Sequence, residues 1–345
     1  MADRDNYWDA IKGWSILAVV GIHALNIPGQ MGEQTFAFQF ALLIRQFINF
    51  AVPMFLALAG YMAGGRAVIQ SGEFISSRLK RLLPPYLLWT FVYVGLGRPE
   101  DLLSPNVLAA DIFMGEGIGV GYFVIVLAQM VVLTPLISKV SSVRGHALIM
   151  AGGALAGLVT SYVFQLFLVD HPLSSFPANA LPFWVWYPFY HFGFVARRYH
   201  LPESKFLQRW LPLLWCGWLL CVGLSWLEGQ ALTAADAAKF GMSQTKATSL
   251  LASGALFLAL LGATASLRKY QFRGWAWIGR NSYFIYLTHL LVFAVIAKVW
   301  SRGGLEMNPV FYSILLVPLT VAVCSTGLFV AKRILPPAVQ RIVTG

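Results

Sequence analysis

The feature that most constrains this chain is a series of hydrophobic runs that recurs along its whole length. They lie near residues 8–26, 37–64, 82–97, 118–138, 146–168, 181–197, 209–227, 248–268, 277–300 and 309–331. A helix needs about 20 apolar residues to cross the ~30 Å hydrocarbon core of a bilayer. Most runs reach that length, although the third and sixth are short and contain proline. Because only helices and closed barrels satisfy their backbone hydrogen bonds in lipid, the runs predict an all-α polytopic bundle of about ten transmembrane helices. We expect one domain over residues 1–345.

The composition agrees with a surface that contacts lipid rather than water. Apolar residues make up 58% of the 345 residues and charged residues only 11%, whereas soluble domains are about 45–50% apolar and about 25% charged. The lipid bilayer is therefore the first expected partner. The three cysteines, Cys216, Cys221 and Cys324, have neither zinc-ligand nor disulfide-framework spacing, so no metal is expected.

The positive charges alternate between successive loops, which argues against a nucleic-acid partner despite the net charge of +11. Nineteen basic residues lie at the N-terminus, in segments 65–81 (with Arg66), 139–145, 197–209 and 268–280, and at the C-terminus. The intervening segments hold five, namely Arg98, Lys239, Lys246, Lys298 and Arg302. Because Lys and Arg accumulate on the cytoplasmic side of a membrane protein, this distribution predicts ten crossings with both termini in the cytoplasm.

Ionisable residues inside the hydrophobic runs are few, and such residues usually have a function because their burial in lipid is costly. Asp9, Lys12 and His23 lie in the first predicted helix, Arg45 in the second, His191 in the sixth and His289 in the ninth. Asp9 is the only acid expected within a span. Ion-coupled transporters typically carry carboxylates at the midplane, so their absence weighs against transport.

The first predicted helix places Lys12 and His23 on one face. They are eleven residues apart, which is about three turns and ~16 Å along the axis. Asp9, three residues before Lys12, can pair with it on that face. Each residue also has a simpler interpretation: Lys12 could extend to the interface, and His23 could be a structural histidine bonded to a carbonyl.

Two further groups of polar residues recur at helical spacing. Arg78 and Arg81 are three residues apart, an arrangement that suits phosphate oxygens but also fits ordinary cytoplasmic positive charge. In the ninth run, Ser282, Tyr286 and His289 form a polar stripe, which can be a site or can join helices.

Four stretches in order resemble the motifs of the acyltransferase-3 family of integral membrane acyltransferases. They are Asp9, Lys12 and His23; Val52 to Tyr61; Arg78, Arg81, Pro85 and Tyr86; and Ile278 to His289. The resemblance runs from residue 9 to about residue 330. Lys12 stands where the family usually has Arg, which resembles the fucose acetylase-like, exopolysaccharide O-acetyltransferase branch. Ala59 stands where the family has Ser, so that position has no hydroxyl to offer a substrate.

The resemblance implies transfer of an acyl group, for which acetyl is favoured, from cytoplasmic acyl-CoA to a carbohydrate hydroxyl. The acceptor would be a cell-surface or exported polysaccharide, or a lipid-linked saccharide, at the bacterial cytoplasmic (inner) membrane, beside polysaccharide biosynthesis machinery. The implied catalytic residues are His23, as general base or nucleophile, and Asp9. The implied acetyl-CoA ligands are Lys12, Arg78 and Arg81, and the implied acceptor-side residues are Arg45, Tyr286 and His289. The alternatives are a transporter or flippase for a polysaccharide precursor, and a non-enzymatic subunit of a secretion complex.

Overall fold

A computed structural model describes residues 5–65, 71–304 and 307–345. Arg66, one of the basic residues used to orient the chain, lies outside this part. Within it the chain is all-α, without strands, as predicted. The α-helices are α1 (Asn6–Ala24), α2 (Phe36–Ile48), α3 (Ala51–Gly64), α4 (Ser71–Gly97), α5 (Pro105–Phe113), α6 (Tyr122–Ser138), α7 (Val143–Tyr162), α8 (Phe183–Arg198), α9 (Lys205–Arg209), α10 (Leu211–Ala234), α11 (Ala238–Gly241), α12 (Ala247–Leu267), α13 (Arg273–Arg280), α14 (Ser282–Arg302), α15 (Pro309–Ile334) and α16 (Pro337–Thr344).

Seven segments of the described chain are helical, long and apolar enough to cross a membrane, so this is a membrane protein with fewer supported spans than the expected ten. They are Asn6–Gln30, Phe36–Gly64, Val143–Phe167, Leu211–Ala234, Ala247–Tyr270, Ser282–Arg302 and Pro309–Ile334. The difference comes from three hydrophobic runs. The run in α6 forms a shorter apolar helix of 17 residues, α8 has only 16 residues, and α4 carries several charges in its first half. The cytoplasmic location of both termini stays a prediction.

Two of the hydrophobic runs form broken helices. The run at 37–64 divides into α2 and α3 at Asn49 and Phe50, just before the proline at position 53. The run at 277–300 divides into α13 and α14 at Asn281. The helices on either side of both breaks pack against α1.

The two most buried membrane segments carry Asp9, Lys12, His23 and Arg45. In the segments that contain α1 and α2–α3, 61% and 67% of the apolar window is buried, whereas the segments of α7 and α10 are each only 11% buried. The first two therefore form the core of the bundle, and the other two expose most of their side chains at its periphery. α1 packs against α13 and α3 packs against α8.

One expectation about buried acids is wrong. Asp9 was expected to be the only acid within a membrane helix, but α10 extends past the end of its hydrophobic run and includes Glu228. The Glu228 carboxylate lies 3.9 Å from Nζ of the fully buried Lys246, and it accepts hydrogen bonds from the hydroxyls of Tyr162 and Thr248. These contacts supply the partners that a buried charge requires. The argument against transport from missing intramembrane carboxylates therefore does not hold.

Candidate functional site

The first half of α1 carries an ion pair between a half-buried lysine and a buried aspartate. Nζ of Lys12 lies 3.1 Å from Oδ1 of Asp9, as the spacing of three residues predicted. Arg280, at the end of α13, lies 3.9 Å from the other carboxylate oxygen. Asp9 is only 2% exposed, and the two cations compensate its charge. Asp9 therefore fixes the position of the Lys12 ammonium group.

Lys12, Arg78 and Arg81 line the same cavity, which we call the arginine cavity. Its volume is about 360 Å³, within the range of small-molecule sites. The guanidinium of Arg78 lies 5.6 Å from the centroid of the Phe74 ring. The rest of the wall is largely apolar, from Phe55, Leu58, Ala59, Met62, Ala63, Phe74, Leu82, Phe123, Leu127 and Val131, with Tyr190, Ser282, Tyr283, Tyr286 and Gly345. The cavity thus combines three cations with an apolar surface.

His23 lies about three turns after Lys12 on α1, in the wall of a second cavity that we call the histidine cavity. Its volume is about 260 Å³. Because α1 is continuous from Asn6 to Ala24, the predicted separation of ~16 Å between the two residues along one helix holds. The centroids of the His23 and His289 rings are 5.2 Å apart, so the histidines of α1 and α14 form a pair.

The hydrogen bonding of His289 determines its tautomer. Its Nδ1 lies 2.7 Å from the carbonyl oxygen of Tyr286. A carbonyl oxygen only accepts hydrogen bonds, so Nδ1 carries the hydrogen and Nε2 keeps its lone pair when the ring is neutral. Nε2 is buried and has no hydrogen-bond partner among the described residues. It is therefore an unused hydrogen-bond acceptor on the ring that neighbours His23.

Arg45 also lines the histidine cavity, but its donors are directed at the protein. Nη1 donates to the carbonyl of Ile22 at 3.2 Å and to Oδ1 of Asn26 at 3.3 Å. Nη2 donates to the carbonyl of Met242 at 2.9 Å, and Nε to Oδ1 of Asn49 at 3.4 Å. Arg45 thus joins the last turn of α1, which contains the catalytic candidate, to the loop that precedes α12.

Tyr286 lies in the wall of both cavities. Its hydroxyl donates to the carbonyl of Val120, its ring makes an edge contact with Phe123 at 5.4 Å, and it lies 6.0 Å from the His289 ring. The break at Asn281 begins α14 at Ser282, which places Ser282 in the arginine cavity and Tyr286, one turn later, at the boundary. The polar stripe predicted in the ninth run is therefore part of the site.

The histidine cavity contains residues that the sequence did not indicate. Three aromatic side chains, Tyr122, Phe176 and Trp186, lie in its wall, with Tyr122 packed 5.1 Å from Phe176. Its polar wall residues include Asn26, Asn179, Lys239, Ser243, Gln244 and Thr245. These positions are spread over several loops and over α6, α8 and α11, so no spacing connects them to His23. Their amide and hydroxyl groups indicate a binding surface only in the folded structure, where they lie in one cavity with His23.

His191 was noted as an ionisable residue within a span, and the structure places it elsewhere. Its Nε2 lies 2.7 Å from Nδ1 of His146, which joins α8 to α7. Neither histidine lines the arginine or histidine cavity. This pair connects two helices outside the site.

A third cavity of about 520 Å³, which we call the tryptophan cavity, adjoins the arginine cavity. Lys12, Met62 and Arg78 line both cavities. The rest of its wall consists of Asp5, Trp8, Asp9, Tyr61, Gly65 and Arg197. Arg197 was counted in the sequence only as a topological charge, because nothing in its spacing distinguished it from other basic residues after a span.

Comparison with known protein families identifies the family of this chain. The family model for an acyltransferase domain of the acyltransferase-3 type matches residues 5–328. The chain belongs to this acyltransferase family. Neither the curated proteins nor the solved structures include a significant match. The matched region contains α1 to α14 and all the predicted site residues, from Asp9 to His289. This acyltransferase is therefore a membrane enzyme. The alternative hypothesis, a transporter or flippase, is not favoured.

Proposed function

We propose that this acyltransferase moves an acetyl group from acetyl-CoA, bound in the arginine cavity, to a hydroxyl of a carbohydrate bound in the histidine cavity. The acceptor would be a cell-surface or exported polysaccharide or its lipid-linked precursor, at the bacterial inner membrane. One observation carries the proposal: Tyr286 separates a cavity lined by Lys12, Arg78 and Arg81 from one lined by His23. Donor and acceptor can therefore approach the same point from two cavities.

The arginine cavity suits the donor. CoA has a polyphosphate head on a long pantetheine arm, and ammonium and guanidinium groups bind phosphate oxygens through charge-assisted hydrogen bonds. Lys12, Arg78 and Arg81 would hold the head, while the apolar wall that includes Phe123 and Leu127 would contact the arm. Lys12 contributes a point charge where an arginine would bind through two parallel hydrogen bonds. Its pairing with Asp9 limits the directions in which that charge can move.

The histidine cavity suits the reaction and the acceptor. As a general base, His23 would take the proton of the acceptor hydroxyl while the hydroxyl oxygen forms the new ester bond to the acyl carbon. The thioester C–S bond then breaks, and the proton passes to the CoA sulfur. As a nucleophile, a ring nitrogen of His23 would instead attack the thioester, displace the CoA thiolate and carry the acyl group. The acceptor hydroxyl would then attack the acyl carbon and release the imidazole, and its proton would pass to the CoA thiolate. The lone pair on Nε2 of His289 can accept a hydrogen bond from His23 in either case. The amides of Asn26, Asn179 and Gln244, with nearby aromatic rings, offer the contacts that sugars use.

The experiment that tests this proposal replaces His23 with Ala. Native membrane vesicles that retain the cell's own glycans would be given radiolabelled acetyl-CoA, and label in glycan would be measured. Because a positioned base or nucleophile contributes about 10²–10⁴-fold, we expect label transfer to fall at least about 100-fold. Membrane insertion and CoA binding should be retained, since His23 does not line the arginine cavity.

His200→Ala is the matched control, because His200 is exposed on the loop after α8 and lines none of the three cavities. Its activity should equal that of the unaltered protein. A fully active His23→Ala protein would overturn the assignment of His23. If vesicles with the unaltered protein neither bind nor cleave acetyl-CoA, the assignment of acetyl-CoA as the donor would be overturned.

A further inference from the structure

The tryptophan cavity continues the arginine cavity beyond the proposed phosphate-binding cations. The two share Lys12, Met62 and Arg78 in their walls, so a ligand held at Lys12 and Arg78 is adjacent to both. One direction leads to Tyr286 and the acyl-transfer point, and the other leads to Trp8, Tyr61 and Arg197. If the thioester of an acyl donor lies at Tyr286 and its phosphates lie at Lys12 and Arg78, the part of the donor beyond the phosphates therefore lies in the tryptophan cavity.

Arg197 is held in the wall of this cavity by Tyr61. Its Nη1 donates to the Tyr61 hydroxyl at 3.1 Å, and its Cζ lies 5.2 Å from the centroid of the same ring. A guanidinium over an aromatic face keeps its charge while one direction of approach is fixed. No carboxylate of the described residues lies within 4 Å of Arg197. Its charge is thus available to an anionic ligand.

The acids in the same cavity are compensated by other cations. Asp5 lies 2.7 Å from Arg268, and Asp9 is paired with Lys12 and near Arg280. An anion in the tryptophan cavity would therefore meet Arg78 and Arg197 rather than two uncompensated carboxylates.

Trp8 gives a second, independent indication of a ligand. It is 2% exposed and lines the cavity, yet its indole Nε1 has no hydrogen-bond partner among the described residues. A buried N–H group normally has an acceptor, because leaving it unpaired costs about 1–3 kcal/mol. Trp8 also packs 4.5 Å from the Tyr61 ring, so this wall is both aromatic and a hydrogen-bond donor.

We infer that the tryptophan cavity binds the 3′-phosphoadenosine part of CoA, with Arg197 as the cation for its 3′-phosphate. The inference rests on the proposed function and deepens it. It distinguishes CoA from acyl donors that carry only a phosphopantetheine arm. Such donors would fill the arginine cavity and leave the tryptophan cavity empty. Arg78, shared by both cavities, lies between the two groups of phosphates, and Trp8 supplies aromatic surface and a donor for the nucleoside.

The test compares CoA with 3′-dephospho-CoA, which lacks only the phosphate assigned to Arg197. Dissociation constants would be measured by calorimetry on the full-length protein in lipid nanodiscs. A hydrogen-bonded contact to a charged group contributes enough to change affinity about tenfold or more. We therefore expect the unaltered protein to bind CoA at least about tenfold more tightly than 3′-dephospho-CoA. Arg197→Gln should bind the two ligands equally, and Arg197→Lys should restore part of the difference.

Arg198→Gln is the matched control, since Arg198 is the next residue of α8, exposed, and absent from the walls of both cavities. It should keep the full preference for CoA. Equal binding of the two ligands by the unaltered protein, or an unchanged preference in Arg197→Gln, would overturn the inference while leaving acetyl-CoA as the donor. Failure of the unaltered protein to bind either ligand would overturn the proposed function and this inference with it.

Discussion

Arg45 is a buried guanidinium that donates hydrogen bonds to neutral oxygens. Carbonyls of Ile22 and Met242 and the amides of Asn26 and Asn49 accept its hydrogen bonds. Such a residue joins pieces of backbone that have no regular hydrogen-bond partner of their own. Ile22 directly precedes His23, so Arg45 fixes the end of α1 on which the reaction depends. The sequence predicted Arg45 as a substrate contact, and the structure adds a positioning role.

Replacing Arg45 with Lys should therefore lower turnover more than donor binding. A lysine has one nitrogen and cannot reach oxygens of α1, α2 and the Met242 loop at once, so His23 loses its fixed position while Lys12 and Arg78 remain. We expect a kcat about 10- to 100-fold lower with little change in the KM for acetyl-CoA. Steady-state kinetics with labelled acetyl-CoA checks this, and Lys298→Arg, an exposed exchange at the end of α14, is the control. An increase confined to KM would contradict the positioning role.

The residues that sequence reasoning could find are those that lie on continuous helices. Asp9, Lys12 and His23 share α1, where spacing alone gives distance and direction. Arg197 and Gln244 were missed because their nearness to Lys12 and His23 depends on how α8 and the loop before α12 pack, which no local periodicity encodes. The same limit explains Glu228, whose ion-pair partner Lys246 belongs to a different part of the chain.

At the scale of helices, α3 connects the site to the packing of the bundle. Ala59 lines the arginine cavity, while the next residue, Gly60, faces α8. A Cβ added at Gly60 would overlap the carbonyl oxygen of Tyr190, and one added at Gly193 would overlap that of Ala57. Small residues on both helices thus let the two backbones approach closely, as is common between membrane helices. No local pattern in the sequence could name α8 as the partner helix of this stretch.

Gly60→Ala should therefore destabilise the protein although alanine favours helix. Alanine gains about 0.5–1 kcal/mol of helix propensity, whereas overpacking costs about 1–3 kcal/mol, and here the neighbour is backbone that cannot rotate away. We expect a lower unfolding midpoint in detergent. Gly223→Ala on α10 is the control, because a Cβ there meets no atom within 4 Å. Equal midpoints for Gly60→Ala and the unaltered protein would show that α3 and α8 are less tightly packed.

At the scale of the whole molecule, we expect the arginine cavity and the histidine cavity to face opposite sides of the membrane. The sequence assigns Lys12, Arg78 and Arg81 to the cytoplasmic side and Lys239 to the opposite side. In the structure the first three line the arginine cavity and Lys239 lines the histidine cavity. The side of the membrane that each cavity faces stays a prediction. An acetyl group would then cross at Tyr286 while CoA and the acceptor stay on their own sides.

This arrangement predicts opposite accessibility for single cysteines at Met62 and Lys239. Both side chains are exposed within their cavities, and the native Cys216, Cys221 and Cys324 would first be replaced by Ser. A charged, membrane-impermeant thiol reagent should label Lys239→Cys in right-side-out vesicles and Met62→Cys in inverted vesicles. CoA should protect only Met62→Cys, because Met62 lines both cavities assigned to the donor. Labelling of both positions from the same side would contradict a transfer across the membrane and would place donor and acceptor in one compartment.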